Sequence, residues 1–96
     1  MNTRTAFARA LREVRRVRMM TQEDFSSVSS RTYLSALERG LKSPTLDKIQ
    51  DLCSVMKVHP VTLMALAYGY VENRDPGEIL SAHVLEELEK IRGENH

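Results

Sequence analysis

The sequence predicts an all-α domain of five short helices with an additional C-terminal helix. Three observations predict it. No segment alternates cleanly between polar and apolar residues, or gathers enough β-branched side chains, to make a strand. Apolar residues recur instead at i, i+3/4 and i+7. Start and stop residues at Ser30, Gly40, Ser43-Pro44 and His59-Pro60 divide that periodic pattern into short segments. At 96 residues, 42 % hydrophobic and 28 % charged, the chain has the size of one domain and an ordinary globular composition.

Phe7, Ala10, Leu11, Val14 and Val17 form one stripe, which predicts a first helix over about residues 4–18. Thr21 is placed to cap a short second helix whose Phe25 faces inward. The serine-rich stretch 26–30 reads as a tight turn. A third helix follows over about residues 31–39, with Ser30 as N-cap and Gly40 just past its end. Ser43-Pro44 predicts the start of a fourth helix, with a stripe of Leu46, Ile49, Leu52, Cys53 and Met56. His59-Pro60 repeats the device for a fifth. Residues 69–77 read as a connector, and a last helix covers about residues 78–92. The expected division is therefore 1–68 for the compact domain and 69–96 for the connector and final helix.

Composition excludes several classes. The longest apolar run, Leu63–Tyr68, is far below the ~18–20 residues of a membrane span. Six arginines between Arg4 and Arg18 resemble a transit peptide in number, but Glu13 and the continuous helical pattern argue against one. The single cysteine, Cys53, excludes a disulfide framework and a multi-cysteine zinc site, and fits a reducing cytoplasm. It lies on the core stripe, so it reads as a buried small hydrophobe rather than a redox sensor. Met19, Met20, Met56 and Met64 read as core or boundary packing. The three histidines, His59, His83 and His96, are too scattered for a metal site, and no cofactor is expected.

Net charge is only +1. The halves differ: residues 1–48 carry ten basic and five acidic side chains, net +5, and residues 49–96 carry four and eight, net −4. That polarity puts a basic face for a polyanion at one end of the molecule. An unevenly solvated helical protein has the same signature, so the charge needs a motif beside it.

The motif is the stretch Thr21-Gln22-Glu23-Asp24-Phe25 … Tyr33-Leu34-Ser35-Ala36-Leu37-Glu38-Arg39-Gly40, continued by Lys42-Ser43-Pro44-Thr45-Leu46. It resembles the helix-turn-helix of the Cro/phage-repressor (Xre-type) family. Phe7, Leu11, Arg15 and Arg18 sit at matching offsets upstream, and the resemblance covers about residues 5–67. It implies a lambda-repressor-like domain in which the third helix is the recognition helix. Members of that family usually carry about two more residues between the positions of Phe25 and Leu34. The second helix is therefore expected to be shorter here, or the turn tighter.

The residues of the third helix fit that role. Ser30, Tyr33, Leu34 and Leu37 fall on one side, and Thr32, Ser35, Ala36 and Arg39 on the other, with Arg31 at the edge. A small, polar, basic face enters a major groove without clashing, and N-terminal residues of such helices meet base edges. Arg31 is the candidate for guanine, Thr32 and Ser35 for a base or a thymine methyl, and Ala36 for apolar contact. Arg39, Lys42 and Ser43 are candidates for phosphates, with Tyr33 beside them. The resemblance adds Gln22 as a phosphate contact that also braces the recognition helix, and a largely buried structural ion pair between Arg15 and Glu38. Arg12, Arg16 and Arg18 are surface candidates for nonspecific phosphate attraction.

The final helix carries Ile79, Leu80, Val84, Leu88 and Ile91 on one stripe. It can fold over the core or pack on a second copy. The expectation is a homodimer, which sets two recognition helices about 34 Å apart on double-stranded DNA. The leading function is a sequence-specific bacterial or phage transcriptional regulator, a restriction–modification controller being one variant. The alternative is an antitoxin that clamps a toxin through residues 69–96. An enzyme is disfavoured, because there is no Gly-rich phosphate loop and no nucleophile beside a base. A pure protein-interaction module without DNA binding is the remaining rival.

Overall fold

Asn2 accepts the Thr5 N–H at 2.9 Å, and α1 (Thr3–Val17) begins there. The computed structural model describes residues 1–94, so His96 lies outside the described residues. Phe7, Ala10, Leu11 and Val14 are buried along α1, as the stripe predicts, and Ala6 and Ala8 are buried beside them. Val17 is exposed, because the helix ends there and the chain turns. The turn is made by Met19, in the left-handed region at φ 57°, with Met20 N–H bonded back to the Arg15 carbonyl at 3.0 Å. That geometry throws Met19 into solvent at 92 % exposure, against the expectation that it packs. Met56 is buried, and Met20 and Met64 rest against the core.

The expected second helix is a single 3-10 turn, Gln22–Phe25. Asp24 reaches back to accept the Thr21 N–H at 2.7 Å, and Phe25 is wholly buried. After it, the N–H groups of Val28 and Ser29 both bond the Phe25 carbonyl, at 3.0 and 2.9 Å. The second helix is thus short, as expected, and the turn after it stays hydrogen-bonded. Helix α2 (Arg31–Glu38) starts as expected, with Ser30 Oγ accepting the Tyr33 N–H at 3.1 Å. It ends on Gly40, at φ +72°, with Leu41 N–H to Ala36 O at 3.0 Å and Gly40 N–H to Leu37 O at 3.1 Å. This pair of bonds needs a left-handed residue between helix and exit, which glycine supplies without a Cβ penalty.

Helix α3 (Leu46–Met56) starts two residues later than Ser43-Pro44 suggested. Thr45, not Ser43, is the cap, accepting the Lys48 N–H at 3.1 Å. Leu46 is consequently on the outer side of the first turn, 85 % exposed, and the buried stripe is Ile49, Leu52, Cys53 and Met56. Burial pushes the Cys53 thiol pKa up.

Helix α4 (Pro60–Glu72) begins where predicted: His59 Nδ1 accepts the Val61 N–H at 3.0 Å and Pro60 occupies the first turn. It runs past Gly69 and ends at Asn73, φ 54°. The expected division at residue 68 therefore falls inside a helix. Gly69 is a packing residue rather than a stop. A Cβ there would meet the Arg74 carbonyl oxygen at 2.9 Å and Pro76 Cγ at 3.1 Å. Its absence lets the chain reverse tightly against α4.

Asp75 accepts the Gly77 N–H at 2.7 Å and opens the last helix, α5, which comprises Pro76–Ile79, a π-type turn Leu80–Val84 and Leu85–Glu94. The helical backbone is continuous at Leu80 and Leu85. Ile79 is buried within the chain's own core, so it drops out of the expected dimer stripe. Leu80 and Val84 are half-buried, and the segment Leu85–Glu94 contains no buried residue.

The described residues form no strand, as predicted. The core joins Phe7, Leu11 and Val14 of α1 to Phe25, Leu34, Leu37, Leu52, Met56 and Leu63. Each such side chain contributes roughly 1.5–3 kcal/mol by leaving water. Helix α1 packs chiefly along α4, while α2 lies across α1. Arg9 stacks over the Tyr70 ring at 4.1 Å, and the Tyr70 hydroxyl donates to Glu13, tying α1 to α4 at the rim. We expect Gly69→Ala to lower stability by about 1–3 kcal/mol, since a backbone carbonyl stands in the way. Thermal unfolding of the variant measures this, and an unchanged melting temperature would show that the reversal at Arg74–Pro76 has room to move.

Candidate nucleic-acid interface

A carboxylate near the C-terminal end of a helix faces the negative pole of the helix dipole, so a buried one needs compensation. Glu38 is 4 % exposed and stands in that position on α2. Arg15 supplies the compensation from α1: Nε donates to Glu38 Oε2 at 2.6 Å and Nη2 to Oε1 at 2.9 Å. Its third nitrogen, Nη1, donates to the Met20 carbonyl at 3.0 Å. Gln22 Nε2 adds a bond to Glu38 Oε1 at 3.1 Å. Arg12 donates to the Glu38 backbone carbonyl, one of the carbonyls that the end of a helix leaves unpaired. The hydrogen bond to Glu38 raises the Arg15 pKa, so this charge persists throughout the working pH range. The structure places Arg15 against Glu38, the two residues that the resemblance pairs.

This cluster fixes α2 against α1 and the 3-10 turn from its buried end. Arg12 is therefore not a free surface cation, contrary to the expectation from sequence. Arg16 is exposed, and Arg18 reaches the Lys57 carbonyl at 3.3 Å. Gln22 is half-buried, and its amide is engaged with Glu38 of α2.

The opposite side of α2 faces solvent. Arg31 and Thr32 are exposed, Ser35 is half-buried, and Arg39 is exposed at the far end. Ala36 departs from the expected face: it is 8 % exposed, and its carbonyl holds the Leu41 N–H that closes the helix. It lies too deep for the apolar base contact expected of it. Lys42 and Ser43 are exposed beyond Gly40. Two ammonium groups stand within reach of the Tyr33 ring, Lys42 at 5.5 Å and Lys48 at 5.4 Å. Lys48 was not expected from sequence; it rises from the first turn of α3 and also bonds the Val28 carbonyl at 2.5 Å. Its position could have been inferred only by knowing that α3 starts at Leu46. The four-residue 3-10 turn is too short to offer a phosphate an aligned helix dipole.

A family model described as Helix-turn-helix, the Cro/C1-type HTH_3 group, matches residues 11–63. The chain belongs to this helix-turn-helix family. The match spans α1 from Leu11, the 3-10 turn, α2, α3 and the start of α4, which are the elements around the Glu38 cluster. No curated protein and no solved structure matches the chain. Membership in the helix-turn-helix family makes the chain a DNA-binding regulator, in a family that is regulatory rather than enzymatic. Among the described residues, no single helix is long and apolar enough to cross a membrane.

Because Glu38 is buried, its loss and its isosteric replacement have different effects. Glu38→Ala leaves Arg15 uncompensated and should cost about 3–5 kcal/mol in urea unfolding. The double change Arg15→Met, Glu38→Leu should cost much less, because no charge is stranded. Equal losses for both variants would show that packing, not charge, holds α2 in place.

Proposed function

We propose that this chain is a sequence-specific transcriptional regulator that binds double-stranded DNA as a homodimer and acts by occupying an operator. The carrying observation is the row of exposed Arg31, Thr32 and Arg39, with half-buried Ser35 among them, on a helix whose other side is pinned through Glu38. In this reading Arg31, Thr32 and Ser35 meet base edges in the major groove. Arg39, Lys42, Ser43 and Tyr33, with Lys48 added, fix the register on phosphates. Such DNA work belongs in the cytoplasm of a bacterial cell.

Support for the dimer comes from α5. Leu85, Leu88 and Ile91 are 58, 40 and 53 % exposed on a helix that buries nothing beyond Ile79. A groove of about 290 Å³ runs between α4 and α5, walled by Val61, Met64, Tyr68, Leu80 and Val84. A second copy that covers this surface buries it in a closed two-fold contact. The antitoxin reading draws on the same helix, whose acidic side chains suit a basic partner. A second small protein held in stoichiometric amount would favour it over the dimer.

Selection of bound sequences from random duplex DNA tests the main reading. The expected result at about 150 mM salt is an inverted repeat with half-site centres about ten base pairs apart. A single half-site would remove the dimer, and no enrichment from folded protein would remove sequence-specific DNA binding. On the selected site, Arg31→Ala should cost about 1–3 kcal/mol and relax one base position. Lys42→Ala should weaken all sequences alike and lower the salt slope by about one. A changed base preference in the Lys42 variant would contradict the proposed division of roles.

A further inference from the structure

Glu23, in the 3-10 turn, and Arg31, at the start of α2, come together at the edge of the reading face. Glu23 Oε1 lies 3.6 Å from Arg31 Nη1, with the side chains 71 and 73 % exposed. Pairing through Nη1 leaves Nε and Nη2 unengaged. That is the edge with which Arg15 grips the Glu38 carboxylate, and it equally fits the paired acceptors O6 and N7 of guanine.

In water an exposed pair of this kind contributes little. Against DNA the balance changes, because water is displaced and charges interact more strongly. If Arg31 meets guanine through Nε and Nη2, Glu23 stays neutralised through Nη1. If Arg31 swings to a phosphate instead, Glu23 is left unpaired beside a polyanion. The carboxylate therefore disfavours backbone-only binding more than it disfavours base reading, and selectivity is gained by penalising the competitor.

We propose that Glu23 is a specificity-determining residue of this interface, which directs Arg31 to a guanine edge and away from the phosphates. The proposal rests on Arg31 reading a base. Its test compares the unchanged protein with Glu23→Gln, Arg31→Ala and the double variant. Binding is measured to the selected site, to that site with the Arg31 base pair replaced, and to random duplex, at about 150 mM salt. Circular dichroism melting checks that each variant is folded.

For Glu23→Gln, preference at the Arg31 base pair should fall about two- to fivefold. Affinity for random duplex should rise by about the same factor. In the Arg31→Ala background, Glu23→Gln should leave preference at that base pair where Arg31→Ala alone put it. If Arg31→Ala erases the preference but Glu23→Gln keeps both it and the random-duplex affinity, the role of Glu23 is overturned and base reading by Arg31 stands. If Arg31→Ala leaves every base preference intact, base reading by Arg31 falls, and the role of Glu23 falls with it.

Discussion

The Glu38 carboxylate is the point on which the DNA-facing half of the molecule depends. It collects two bonds from Arg15 and one from Gln22, while Arg12 takes the carbonyl of the same residue. These donors come from α1 and the 3-10 turn, so one side chain fixes the relation of three elements. Apolar burial is non-directional, so the packing of Leu34 and Leu37 alone specifies such a relation loosely. A bidentate pair does not, because the planar guanidinium and the carboxylate must stay nearly coplanar. Whether such pairs add net stability depends on context; here the geometric constraint is the more useful property, because the proposed reading face lies on α2.

The same economy appears in how charge is distributed. The basic half of the sequence supplies α1, the 3-10 turn and α2, and the acidic half supplies α5. Some of the arginines on the basic side are spent on internal tasks: Arg15 and Arg12 on Glu38, Arg9 on Tyr70 and Arg18 on the Lys57 carbonyl. The cations with no such task are fewer than composition suggests. A bond to a carbonyl or a contact with a ring leaves each of those charges in place, so these tasks restrict how far the side chains reach, not the field they contribute.

Much of the fold was legible in the sequence because local signals agreed with tertiary needs. Ser30 and Gly40 bracket α2, and His59-Pro60 opens α4, each by a mechanism that needs only neighbours in the chain. The misreadings have different causes. Ser43-Pro44 offered a start signal that Thr45, a second cap two residues on, outcompeted. Gly69 offered a stop signal, but its lack of a Cβ serves the close approach of Arg74 and Pro76, which a local reading does not see. The site divides in the same way. Arg15 and Glu38 were legible through the motif, whereas the burial of Ala36 and the engagement of Arg12, Lys48 and Glu23 come from distances between elements that spacing does not encode.

Cys53 is the one thiol in the chain, and it sits sealed in the core on α3. A small thiol-directed reagent reaches it only when that part of the core opens, so its labelling rate follows the opening equilibrium. The natural protein thus carries its own chemical clock for breathing of the core, with no engineered probe. Run with and without DNA, that clock reads how much rigidity the duplex lends to α3.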